Sequence, residues 1–215
     1  MATPPASSLD RPARASALDA TALARVAVFA AIIAVLGLPG GFTILGSVPI
    51  TAQTLGVMLA GAVLGPWLGA LSVSVLLGLV AVGMPLLAGG RGGIGVFFGP
   101  SAGYLLGWIA GAVVIGLIVH AGGRKPTTAR TLLGIVVGGI LVVYAFGIPV
   151  QSLVTRLPLG ETALTSLVFV PGDLVKAVLA TAIVVTLVRA YPRAFRRTWT
   201  TKPAAVGDSD PATVS

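Results

Sequence analysis

A chain of 215 residues, 56% of them hydrophobic and 9% charged, lacks the charged quarter or so that a soluble domain needs for its surface. The net charge of +8 sits in the tails and one loop, which fits topology determinants beside an anionic membrane face and does not suggest a nucleic-acid surface. Cysteine is absent, so disulfides, thiolate nucleophiles and cysteine metal sites are excluded.

Residues 1–20, rich in Ala, Pro and Ser, carry no apolar period and read as a flexible N-terminal tail. Runs of apolar residues then recur at the length that crosses a hydrocarbon core about 30 Å thick. They are continuous rather than alternating, the pattern of α-helices rather than of barrel strands. Six spans are predicted, over 21–38, 50–65, 67–87, 99–121, 129–148 and 171–190. Gly65-Pro66 separates the second from the third with almost no loop, because proline stops a helix by removing a donor and crowding the preceding turn. The fold class is therefore an all-α polytopic membrane protein. Its domain is 21–190, and 191–215 form a basic, then polar, C-terminal tail.

Lys and Arg set the orientation. With the N-terminus inside, one side receives Arg11, Arg14, Arg25, Arg124, Lys125, Arg130, Arg189, Arg193, Arg196, Arg197 and Lys202, and the other only Arg91 and Arg156. The positive-inside rule places both termini in the cytoplasm, consistent with six spans across the cytoplasmic membrane. Thr51, Gln53 and Thr54, the loop carrying Arg91, and Asp173 with Lys176 then all fall near the outer face. That asymmetry is expected of a protein that captures something from outside.

Each polar group has two readings. Asp173 follows Pro171-Gly172 where a helix N-cap belongs, and a cap bonding the first-turn amides is the simple role. Lys176 opposes the helix dipole and costs roughly 2.5–3.5 kcal/mol within a span on insertion scales. Either it pairs with Asp173, or the two supply an acceptor and a donor to a polar ligand. The segment 88–93, AGGRGG, lacks the GK[ST] ending of a phosphate loop. Its Arg91 is an interfacial anchor or a partner for a ligand carboxylate, and its glycines, Gly92 and Gly93 among them, allow close backbone approach. Gly103, Gly107 and Gly111 form a small-residue stripe for helix contact, and Ala27, Ala30, Ala31 and Ala34 form another on the first span. Tyr104, Trp108, Tyr144 and Trp67 are belt residues or stacking surfaces. The one histidine, His120, has no carboxylates beside it in sequence and makes a poor metal site.

Three stretches, VPITAQTLGVMLAGAVLGPWLGAL (48–71), AGGRGGIGVFFGPSAGYLLGW (88–108) and PGDLVKAVLA (171–180), resemble in order and spacing the signature regions of the BioY family. These are the biotin-specific S components, the substrate-binding membrane subunits, of energy-coupling-factor transporters. The resemblance covers roughly 24–190 and implies a six-helix S-component bundle with a biotin pocket open to the outside. It implies that Asp173 and Lys176 hold the ureido ring, and that Arg91 or the amides of Gly92 and Gly93 meet the carboxylate. Gln53 and Tyr104 join the site by position within the motifs. It further implies docking of a transmembrane coupling subunit on Ala27, Ala30, Ala31 and Ala34, with two ATPase subunits supplying energy. Biotin is then cargo, with no cofactor, metal, catalytic residue or nucleic-acid partner expected. A carrier for another small carboxylate vitamin, or an intramembrane enzyme, are the alternatives. At Ser101-Ala102 the chain departs from the Thr-Gly expected of the family.

Overall fold

The computed structural model describes residues 20–41, 48–123 and 126–191. Most of the two expected tails lies outside the described residues, as do Arg124 and Lys125. The described chain is helical, with no strand beyond an isolated bridge between Leu87 and Arg91.

Helices α1 (Ala20–Val35), α2 (Gln53–Leu64), α3 (Pro66–Ala81) and α4 (Ala102–Val119) follow in order. A fifth rod joins α5 (Thr128–Val136), a π-helical turn (Val137–Val142) and α6 (Val143–Thr155). A sixth joins α7 (Leu159–Ser166), a 3-10 turn (Leu167–Phe169) and α8 (Val170–Ala190). Three of these rods, Ala102–Val119, Thr128–Thr155 and Leu159–Ala190, are long and apolar enough to cross a membrane; α1, α2 and α3 are apolar but shorter.

Two rods outrun their predicted bounds. The fifth continues through Pro149 to Thr155, and stops where Arg156 takes a left-handed conformation (φ 59°). The sixth starts at Leu159 rather than 171, so Pro171-Gly172 is no break. Proline at 171 cannot serve the carbonyl of Leu167, but the 3-10 turn gives that carbonyl to the Val170 N–H instead. The missing donor therefore leaves nothing unsatisfied. In consequence Asp173 sits in the first turn of α8 rather than at its N-cap, which is Phe169 and makes no side-chain cap.

Helix α4 is the centre, packed against α2, α3, α5 and α6. Its glycine stripe faces the fifth rod: a Cβ on Gly103 would overlap the Phe146 carbonyl, and one on Gly107 would come within 3.0 Å of Val143 backbone. Farther down, a Cβ on Gly116 would overlap the backbone of Gly65 and Pro66. There Gly65 alone links α2 to α3, with φ 85° and Pro66 opening α3. Small residues let these backbones touch, as is usual where lipid offers no hydrophobic drive to pack helices.

The buried apolar residues form two clusters. One gathers Ile33, Val57, Val73, Leu76, Leu105 and Trp108 about the upper part of α4. The other gathers Met58, Ile115, Val119, Ile135, Ala180 and Val184 about its lower part. The first contains the wall of a cavity, and the second is closed.

Candidate functional site

The cavity spans about 590 Å³ of atom-free space, its open mouth included. Its wall draws on several separate segments of the chain. Residues 48–54 come from the entry to α2, Leu87 and Arg91 from the α3–α4 connection, and Ser101, Tyr104, Leu105 and Trp108 from α4. Val143 and Tyr144 come from the start of α6, and Phe169, Asp173 and Lys176 from the start of α8.

Asp173 is 5% exposed, and each of its oxygens has a donor. Lys176 Nζ donates to Oδ1 at 2.9 Å and Tyr144 Oη donates to Oδ2 at 2.7 Å. Thr54 Oγ1 lies 3.5 Å from Oδ1 and accepts a bond from Lys176 Nζ at 3.0 Å. The expected pair of Asp173 and Lys176 is thus part of a four-residue polar cluster drawn from α2, α6 and α8. Desolvating such a pair is costly, and leaving one charge alone costs more, about 3–5 kcal/mol. Among the described residues it is the one ion pair within 4 Å.

Arg91 forms a separate polar group. Its Nε donates to the Ala88 carbonyl (3.3 Å) and its Nη1 to Ser101 Oγ (3.4 Å). Burial pulls its pKa below the ordinary arginine value, yet arginine stays protonated in proteins. The guanidinium is tethered by these neutral acceptors, and it keeps N–H groups for an anion. Ser101 accepts one of these two bonds.

Other expected residues hold different places. Gln53 lines the cavity but is 1% exposed, and its amide is spent on backbone. Nε2 donates to the carbonyls of Ile33 (3.2 Å) and Leu86 (3.0 Å), and Oε1 accepts from the Ala88 N–H (3.1 Å). It ties α1, α2 and the Arg91 loop together. Tyr104 gives its ring to the cavity, but its hydroxyl turns away, donating to Gln151 Oε1 at 2.8 Å with Ser166 Oγ at 3.1 Å. That ring presses on Gly147, where a Cβ would overlap it, and meets Tyr144 and Phe169 edge-on. Gly92 and Gly93 do not line the cavity. A Cβ on Gly92 would overlap the Met84 carbonyl, and the Gly93 N–H is taken by the Val80 carbonyl at 2.7 Å.

The alanines of α1 divide. Ala27 and Ala31 are exposed together with Val28, Ile32 and Val35, whereas Ala30 is buried at 5% and Ala34 packs against the core. Residues at i, i+3, i+4 and i+7 share one face of a helix, and here the edge of that face with Ala30 and Ala34 turns toward the bundle while Ala27 and Ala31 stay outside.

Tyr144 and Thr54 are the polar contacts that motif reading left without a role. A signal for Thr54 was present, since it lies one residue from Gln53 in the first matched stretch. Tyr144 reads in the sequence only as a belt or stacking residue, because the partner of its hydroxyl is 29 residues away. No group of three or more potential metal ligands occurs among the described residues.

Comparison with known proteins agrees with this architecture. Residues 10–193 match the model of the BioY family. The biotin transporter BioY of Rhodobacter capsulatus is 45% identical over 79% of this chain and 94% of its own. The probable biotin transporter BioY of Bacillus subtilis is 46% identical over 77% and 89%. A crystal structure of the S-component for biotin from an ECF-type ABC transporter superposes with a TM-score of 0.74 at 35% identity, covering 79% of this chain and 91% of that one. By sequence along most of its length and by the arrangement of its helices, the chain belongs to the BioY family.

Proposed function

We propose that this protein binds biotin in the cavity and delivers it across the cytoplasmic membrane with an energy-coupling module. The observation that carries this reading is the buried cluster of Asp173, Lys176, Tyr144 and Thr54, facing apolar and aromatic residues and a separate arginine, Arg91, in one wall. A cyclic urea offers two N–H donors and one carbonyl, which suit a carboxylate and an ammonium held side by side. The sulfur-containing ring and the acyl chain suit Trp108, Phe169, Leu105 and Val143. Arg91, tethered apart from that cluster, is the group for the ionised carboxylate. The names of the relatives support the same ligand.

The cavity end faces outside in this reading, with both termini in the cytoplasm. Supporting it, Arg189 lies in the last turn of α8, whose start lines the cavity, and Arg130 lies at the start of the fifth rod, well before the Val143 and Tyr144 that line it. The coupling subunit docks on the exposed Ala27 and Ala31 face of α1, and two ATPase subunits complete the module.

Labelled biotin and the purified protein in lipid nanodiscs provide the test. Saturable binding that competes with desthiobiotin but not with lipoate or riboflavin is expected, and Asp173→Asn and Lys176→Ala should each weaken it about 100-fold or more. No binding by the folded wild type, or unchanged binding by both variants, overturns the assignment. Copurification with a coupling subunit, lost on Ala27→Leu/Ala31→Leu, tests the docking face.

A further inference from the structure

Two tyrosines meet edge-on at the cavity, and their hydroxyls do opposite things. Tyr104 finds neutral partners away from the cavity, in Gln151 and Ser166. That is how a buried phenol is ordinarily satisfied. Tyr144 instead donates to Asp173 Oδ2, on a carboxylate that already has a lysine. An ionised carboxylate only accepts, so the proton in that bond belongs to the tyrosine.

The backbone supports this placement. Tyr144 is the second residue after the π-helical turn Val137–Val142. A π turn holds an extra residue and so rotates the next stretch of helix by about 100° relative to a straight α-helix. Gly138 and Gly139 let that turn wedge between α4 and α2, since a Cβ on either would come within 2.5–2.9 Å of Ile115 or Met58. Without the extra residue, the face of α6 that carries Tyr144 would turn away from α8.

From this geometry we infer that Tyr144 is a positioning and specificity residue for the ligand's ring N–H groups, acting through Asp173. It fixes the carboxylate plane from one side while Lys176 fixes it from the other. Oδ1 already meets Lys176 and Thr54, whereas Oδ2 has Tyr144 as its one donor and keeps a lone pair for a ring N–H. Lys176 spends one proton on Asp173 and one on Thr54, which leaves a third for the ring carbonyl. The site is thereby selective for a ring with N–H next to C=O over a ring of the same shape lacking the N–H. This inference rests on biotin being the ligand, and its test separates the two.

The test uses three ligands: biotin and the two isosteric cyclic carbamates in which one or the other ureido N–H is replaced by oxygen. Tyr144→Phe should bind biotin about tenfold more weakly than wild type, the loss of one hydrogen bond to a charged group. Against one of the two carbamates that tenfold penalty should vanish, because the N–H that Tyr144 serves through Asp173 is gone. Equal affinity of wild type and Tyr144→Phe for biotin, or the same penalty for all three ligands, overturns the inference; the second outcome means packing alone. Should Tyr144→Phe unfold the protein, the wild type alone is measured with the three ligands. About tenfold weaker binding of one carbamate than of biotin is expected, and equal affinity for all three overturns the inference. Failure of the wild type to bind biotin refutes the ligand assignment instead.

Discussion

The two halves of helix α4 are built on different terms. Its C-terminal half meets its neighbours through Gly111 and Gly116, backbone against backbone, and the cluster around Ile115 packs shut. Its N-terminal half also meets the fifth rod through Gly103 and Gly107, but it bears Tyr104 and Trp108 as well, and these rings line the cavity. Room for a ligand lies beside the two rings, not along the glycine stripe. Polar groups follow the same division. At the closed end His120 Nε2 donates to the Ala62 carbonyl, a bond that pins a corner. At the open end a four-residue cluster and a tethered arginine face a shared space.

The sharpest way to break this contrast is to put a large side chain at the closed end. Gly116→Leu would drive its side chain into the Gly65–Pro66 corner, where the obstruction is backbone and cannot swing aside. A loss of about 3 kcal/mol or more is expected, read as a fall in melting temperature and in yield of monodisperse protein. Next comes Gln53→Leu, at the open end but structural. It strips partners from the Ala88 N–H and from the Ile33 and Leu86 carbonyls. We expect about 2–3 kcal/mol of destabilisation, with biotin affinity of the folded fraction reduced less than by Asp173→Asn. A larger binding defect than that of Asp173→Asn would make Gln53 a ligand contact rather than a clip.

A smaller effect sharpens the division within the site. Arg91→Ala should weaken biotin about tenfold and leave the affinity for biotin amide unchanged, because only the acid brings a charge to the guanidinium. Equal losses for acid and amide would move the carboxylate elsewhere.

The smallest effect belongs to His120, outside the spans. Burial chiefly, and Arg130 secondarily, hold its pKa below the ordinary histidine value, although the bond to Ala62 acts the other way. With the folded value lower than the unfolded one, the unfolded chain binds more protons, so stability rises with pH. The contribution is present above the ordinary value of about 6.5 and fades as pH falls through it. Melting temperatures in detergent between pH 8 and 5 should show that slope, and His120→Gln should flatten it.

Much of this was legible in the chain. Helix number came from the apolar runs, although two of their bounds, at 148 and 171, lie inside continuous rods. Asp173, Lys176 and Arg91 stood out as charges misplaced in an apolar sequence, and all three line the cavity. The features that escaped depend on hydrogen bonds between distant elements. Gln53 looks like a ligand donor until its three backbone partners, up to 35 residues away, are counted. Pro171-Gly172 looks like a helix stop until a 3-10 turn reassigns one carbonyl. Ala30 and Ala34 match a surface motif by spacing, yet α1 turns them inward.

The uneven helix lengths carry a consequence for the surrounding lipid. Helices α1, α2 and α3, of 16, 12 and 16 residues, rise roughly 24, 18 and 24 Å, short of a hydrocarbon core about 30 Å thick. The fifth and sixth rods, of 28 and 32 residues, rise roughly 42 and 48 Å. The annulus of lipid thus meets a low wall on one flank and a high one on the other, a hydrophobic mismatch that changes sign around a single subunit. Acyl chains must compress beside α1 and stretch or tilt beside α8. A protein neighbour that covers the low flank, where Ala27 and Ala31 are exposed, releases the compressed lipid there. Bilayer thickness itself then becomes a variable that sets how readily this subunit associates.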